Sequence, residues 1–121
     1  MCGRFTLTAS FDEIIDRFDI EQMIDESLYN PNYNVAPSQS VLAVVHDGSK
    51  NRLGYLRWGL IPSWAKDAKI GYKMINARAE TLTEKPSYRN AYKNKRCLIL
   101  ADSFYEWKRH DDKTKTPMLL N

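Results

Sequence analysis

The sequence predicts an α+β fold, built on a mainly antiparallel, curved, barrel-like sheet with a few short helices. Three observations lead there. β-Branched and aromatic runs recur with turn signals between them, a pattern of strands and hairpins rather than of a helical bundle. One stretch near the N-terminus has helical apolar spacing instead. And 121 residues with 43% hydrophobic and 12% aromatic content supply one modest core, not two.

The elements follow in order. Ser10 and Glu13 have the capping-box spacing, and Phe11, Ile14, Ile15 and Phe18 share one helical face, which predicts a helix from Ser10 to Phe18. Asn30 to Pro37 carries two prolines and three asparagines, which defeat both periodicities and predict a loop. Val41 to His46 is β-branched and apolar, Asp47-Gly48 signals a turn, and Leu53 to Trp58 returns, so this segment reads as a hairpin. Gly59 to Tyr72 lacks periodicity and reads as a long irregular connection of the kind that carries function. Ser87 to Lys93 is a candidate short helix. Cys97 to Leu100 is an apolar run suited to a buried strand, followed by strands at Phe104 to Lys108 and, past Asp111-Asp112, at Thr116 to Leu120. The chain stops at Asn121 directly after that last strand. A strand in that position needs a neighbour, so either it lies at a protected edge or the chain is a portion of something longer.

The two cysteines, Cys2 and Cys97, show neither metal-ligand nor disulfide-framework spacing, which favours a reducing, cytoplasmic setting without a metal or cofactor. The N-terminus has no apolar signal region and no stretch approaches a membrane span, so a soluble protein is expected. Lys and Arg number 18 against 15 for Asp and Glu, a weak basic balance that permits an anionic partner without demanding one. Its distribution is uneven. Acidic residues crowd the first 26 positions, whereas Lys85, Arg89, Lys93, Lys95 and Arg96 form a basic run that reads first as a solvated helix face.

Cys2 follows the initiator methionine, so removal of Met1 yields an N-terminal 1,2-aminothiol. Its amine has a reference pKa of ~7.7 to 8.0, leaving roughly a tenth neutral at pH 7. Beside it, the thiol is the more nucleophilic partner. The pair suits an aldehyde: the amine forms a Schiff base, and the thiol closes a thiazolidine in an intramolecular step. The alternative is a small residue buried near a terminus.

Five motifs occur in order: Met1 to Phe5 (MCGRF), Tyr33 to Pro37 (YNVAP), Arg57 to Trp64 (RWGLIPSW), Ile75 to Thr81 (INARAET) and Ala101 to Lys108 (ADSFYEWK). Together they resemble the SOS response-associated peptidase (SRAP) family, whose members act as suicide sensors of abasic sites in single-stranded DNA. The resemblance runs from residue 1 to about residue 120 and implies an SRAP-like domain over residues 1–121, with Cys2 in a cleft beside Asn76 and Glu106. It implies that Cys2 forms the thiazolidine with the ring-opened abasic sugar and that Asn76 orients the site. A carboxamide can donate to a sugar oxygen and accept from the amine without adding charge. Glu106 matches the family's catalytic carboxylate; between Tyr105 and Trp107, desolvation is expected to raise its pKa toward the range useful for proton transfer.

Arg4 and Arg78 match positions that contact the DNA backbone, where guanidinium forks suit phosphates without reading sequence. Trp64 occupies the loop from which members of the family present aromatic surface, so the resemblance implies stacking on a base next to the lesion, and Pro37 matches the family's active-site wall. Glu80 reads as support for the Asn76 loop, and Trp58 as core. Taken singly, each has an ordinary alternative: a turn asparagine, a solvated glutamate, an intramolecular arginine ion pair, a loop proline.

The family's catalytic histidine lies further along, in a segment without counterpart here, and His46 and His110 read as surface residues. The expectation is therefore an N-terminal portion of the domain, with its sheet open on the C-terminal side and an edge placed to pair with a second copy. The function expected is a DNA-damage sensor that crosslinks to abasic single-stranded DNA. A cysteine-type peptidase that exposes its own Cys2 or acts on other proteins, and a noncatalytic DNA-binding remnant, are the alternatives.

Overall fold

The computed structural model describes residues 2–121; the expected removal of Met1 falls outside the described residues. The fold is α+β, with two α-helices and seven strands among those residues. The strands are β1 (Phe5–Leu7), β2 (Asn32–Val35), β3 (Ser40–His46), β4 (Asn51–Arg57), β5 (Leu98–Ile99), β6 (Ser103–Arg109) and β7 (Lys115–Leu120). The helices are α1 (Phe11–Arg17) and α2 (Pro86–Asn94). All strand pairs are antiparallel, in a four-stranded sheet ordered β2-β1-β6-β7 and a three-stranded sheet ordered β4-β3-β5. The two sheets do not close into a barrel among the described residues.

Helix α1 begins as its sequence dictates. Ser10 is the N-cap, and its hydroxyl accepts from the Glu13 N–H at 3.2 Å. Phe11 and Ile14 are buried, and with Ile20, Leu7, Leu42, Val44, Leu53 and Leu100 they form the main core. Each fully buried aliphatic or aromatic side chain contributes about 1.5–3 kcal/mol relative to exposure. Strand β3 is buried on both faces: Leu42 and Val44 enter this core, whereas Val41 joins Phe5 and Val35 in a second, smaller cluster. The β3–β4 hairpin turns at Asp47, whose carboxylate accepts from the Ser49 and Lys50 amides, and Gly48 takes φ +94°.

Three segments depart from the sequence reading. The N-terminal FTL forms β1, a central strand buried at all three positions. Within the expected loop, residues 32–35 form β2, paired with β1. An edge strand tolerates the asparagines, because Tyr33 and Asn34 face solvent and the prolines lie outside the ladder at positions 31 and 37. The run from Cys97 to Leu100 is not a buried strand. Among the described residues only Leu98 and Ile99 of this run pair as a strand, with β3, and both are exposed, as is Cys97; Leu100 is the buried residue. Among the described residues β5 is an edge strand with no neighbour on its outward side, so apolar character here did not bring burial.

Candidate active site

Cys2 enters the site from the end of β1. Between β2 and β6, that strand is fixed on both sides: the Tyr105 N–H donates to the Arg4 carbonyl at 2.9 Å, and Phe5 pairs with Val35 and Phe104. A polar clasp closes the far end. The Asp102 carboxylate accepts from the Thr6 hydroxyl at 2.5 Å, the Thr8 hydroxyl at 3.1 Å, and the Thr8 and Ala9 amides at 2.5 and 3.0 Å. Burial pushes the Asp102 carboxyl up, but these hydrogen bonds outweigh it and hold the group below the ordinary carboxylate range. Cys2 itself is half-buried against the Phe5–Val35–Val41 cluster beside Trp58, and its thiol lies 3.7 Å from the Arg4 carbonyl.

Asn76 arrives by a different route. Past β4, Gly59 takes φ +130°, and a Cβ there would lie 2.4 Å from the Gly71 carbonyl oxygen, so two backbone segments touch at a point only glycine permits. The returning chain is stitched to the outgoing one. The Leu60 amide donates to the Met74 carbonyl at 3.0 Å, and the Trp58 indole N–H to the Ile75 carbonyl at 3.0 Å. The Tyr88 hydroxyl on α2 donates to the Asn76 carbonyl at 3.1 Å. Held from both sides, the Asn76 Nδ2 donates to the Cys2 carbonyl at 2.9 Å. The carboxamide is expected to donate to a sugar oxygen and accept from the terminal amine; the bond observed is donation to the backbone of residue 2, which ties the N-terminus to the Asn76 loop.

Cys2 and Asn76 share the walls of an open groove of about 870 Å³ between the two sheets, together with Phe5, Trp58, Cys97 and Phe104. Glu106 stands two residues from Phe104 on β6 and so on the same face. The β1–β6 register, continued from Phe5–Phe104, places Glu106 opposite Gly3, next to Cys2. Glu106 itself, like Arg4, Pro37, Trp64 and Arg78, is not among the residues that line the groove. Arg4 is exposed and donates to the Asn34 side chain at 3.2 Å. Pro37 begins the turn between β2 and β3, where Ser38 N–H donates to the Trp58 carbonyl at 2.9 Å. Trp64 is 60% exposed on a turn closed by Ala65 N–H to the Pro62 carbonyl. Arg78, also exposed, precedes the 3₁₀ turn Ala79–Thr81 that contains Glu80.

Trp58 lies just past β4 rather than inside it, half-buried, its ring 5.3 Å from that of Phe5. Its indole is a positioning group for residue 75, a role that aromatic composition alone does not announce. Cys97 is the other surprise. The apolar run hid a thiol that shares the groove with Cys2, and no local pattern marks it. Neither histidine lines the groove: His46 accepts from the Gly48 amide at 3.1 Å, and His110 lies 2.7 Å from the Thr116 hydroxyl. Among the described residues no group of three His, Cys, Asp or Glu side chains could hold a metal, and no helix is long and apolar enough to cross a membrane.

A second residue set between two antiparallel sheets, and tied through its own carbonyl to a mid-chain loop, defines the site of this α+β chain. The family model described as SOS response associated peptidase (SRAP) matches residues 1–121, and the chain belongs to that family. Similar proteins include the abasic site processing protein YoaM of Bacillus subtilis (strain 168), 70% identical over 118 residues that cover 98% of this chain and 52% of the relative. The abasic site processing protein HMCES of Xenopus tropicalis is 41% identical over 99 residues, 72% of this chain and 30% of the relative. A crystal structure of a protein from Bacteroides thetaiotaomicron superposes with TM-score 0.75 at 26% identity, covering 96% of this chain and 52% of that one. The chain spans about half the length of the Bacillus relatives it matches.

Proposed function

We propose that this chain senses abasic sites in single-stranded DNA and, once Met1 is removed, captures them covalently through Cys2 as part of the DNA-damage response. The observation that carries the proposal is the 2.9 Å bond from Asn76 to the Cys2 carbonyl, which supports a fixed place for residue 2 within an open groove. That the relatives are named abasic site processing proteins supports the choice of target.

The ring-opened abasic sugar offers an aldehyde at C1′. The Cys2 amine adds to it and the carbinolamine loses water; the thiol then adds to the imine carbon and the nitrogen takes up a proton. One water leaves, and C1′ ends bonded to both nitrogen and sulfur. Glu106, on the groove side of β6, is the proton carrier for ring opening and dehydration. Arg4 and Arg78 hold phosphates on either side, Trp64 stacks on a neighbouring base, and Pro37 with its turn borders the strand's path. No cofactor takes part, and a reducing cytoplasm keeps both cysteines as thiols.

Incubation with a single-stranded oligonucleotide bearing one abasic site tests this. A heat- and denaturant-stable adduct is expected from the parent and from Cys97→Ala, and none from Cys2→Ala. Because Cys97 shares the groove, this pair of variants decides which thiol reacts. Cys2→Ser keeps the amine and is expected to give only a borohydride-trappable Schiff base. Glu106→Gln is expected to bind the strand yet crosslink roughly 10²-fold more slowly. A stable adduct from Cys2→Ala overturns the assignment.

A further inference from the structure

The basic run on α2 has no task in the site described so far. It borders a second cavity of about 390 Å³, which shares Asn76, Met74 and Cys97 with the main groove and extends beyond them to α2. Its far wall consists of Tyr88 and Tyr92, one helical turn apart and so on one face, with Lys95 and Arg96 at the helix end. The Arg96 guanidinium lies 4.9 Å from the Tyr92 ring centroid, so cation and aromatic face already form one platform. Residues 86–94 contain neither Asp nor Glu, and among the described residues no ion pair involves Lys95 or Arg96. Cations at a helix C-terminus complement the helix dipole, but that preference does not require two tyrosines lining a cavity beside them.

We propose that Tyr92, Lys95 and Arg96 form a subsite for the nucleotide flanking the abasic position on one side of the single strand, with a phosphate against the two cations and a base against Tyr92. This rests on the reading of Cys2 and Asn76 above. Asn76 connects the two: its side chain holds Cys2, and its carbonyl is held by Tyr88 on the subsite wall. A strand whose lesion lies in the groove therefore passes into this cavity in one direction only, and the subsite fixes that direction. The cavity volume falls within the ~300–1,000 Å³ range of small-ligand sites.

Binding of intact single strands is measured across a salt series for the parent, Lys95→Ala/Arg96→Ala, Tyr92→Ala and Tyr92→Phe. Crosslinking is measured on oligonucleotides whose abasic site is central, at the 5′ end or at the 3′ end. The double variant is expected to lower the log–log salt slope by about 0.7 per lost phosphate contact. Tyr92→Ala is expected to weaken binding roughly 5- to 100-fold, and Tyr92→Phe, which keeps the ring, to remain near the parent. The decisive readout is polarity. Losses in crosslinking should fall on the central lesion and on one of the two end-lesion oligonucleotides, sparing the other. Equal losses on both end-lesion substrates, or an unchanged salt slope, overturn the subsite. Should the parent give no adduct while the double variant still lowers the slope on intact strands, the subsite stands and the Cys2 reading falls. A parent that binds no strand overturns both.

Discussion

Replacing Gly59 with alanine tests whether the crossing of two backbone segments positions Asn76. The added Cβ would sit 2.4 Å from the Gly71 carbonyl oxygen, and the gap must open by about 0.6 Å to reach the 3.0 Å below which such contacts essentially never occur. Little slack is available. Gly71 is buried, and a Cβ there would itself meet Ile61 at 3.2 Å. The φ of +130° adds strain for any L-residue, which costs of order 1–3 kcal/mol. Displacement of residues 71–76 also weakens the Leu60–Met74 and Trp58–Ile75 hydrogen bonds, each worth about 1 kcal/mol. We expect a total loss of about 2–4 kcal/mol. Gly48→Ala is the internal comparison, because Gly48 has φ +94° with nothing within 4 Å of the added carbon. It isolates backbone strain, at about 1–2 kcal/mol, and the effect of alanine on the unfolded chain cancels between the two. Urea titrations followed by tryptophan fluorescence measure both, with a shared m-value as the condition for comparing midpoints. Gly59→Ala should also lose hydrogen-exchange protection at the Leu60 amide. If the two variants lie within about 0.5 kcal/mol of each other, the crossing does not hold the Asn76 loop.

Two other perturbations follow from the same geometry. Because the folded-state pKa of Asp102 lies below its ordinary value of 3.8, the group stabilises the fold fully above that value, and the contribution disappears as pH falls through the depressed one. Asp102→Asn should therefore lower the urea midpoint at pH 6 and flatten its decline below about pH 4 relative to the parent; parallel parent and variant profiles would argue against the clasp. Trp64→Ala should leave the unfolding free energy within about 0.5 kcal/mol of the parent, since the ring is 60% exposed, while weakening binding to single strands by roughly 1–3 kcal/mol. An unfolded Trp64→Ala protein would show that the ring is needed for packing.

What could be read from the sequence depended on how local the signal was. Ser10 caps α1 because cap and first turn are neighbours, and the β3–β4 hairpin declares itself through Asp47-Gly48. β1 and β2 carry no such signal. Three buried residues without alternation, and an asparagine-rich segment between prolines, become strands only through each other and β6. Cys97 was misjudged for the converse reason: its apolar neighbours promised burial, but β5 has one partner and an uncovered side. At the site, Cys2 and Asn76, which motif order groups with Glu106, line one groove, whereas Glu106 is not among its lining residues. The direction of their hydrogen bond, the Trp58 tether and the Asp102 clasp all depend on crossings between distant segments that no residue pattern encodes.

The distance in sequence between site partners has a consequence for how the protein comes into being. Asn76 and Cys2 are 74 positions apart, and the Thr6–Asp102 contact spans 96. Contacts this non-local form late, because the entropy of closing a long loop must be met before they stabilise anything. During synthesis at ~5–20 residues per second, Asp102 follows Thr6 by roughly 5 to 20 s. For the first part of that interval the nascent chain carries Cys2 ahead of Trp58 and Asn76, which later border it. The tie that Asn76 makes to the backbone of residue 2 can thus form only after the chain has grown at least 74 residues past it.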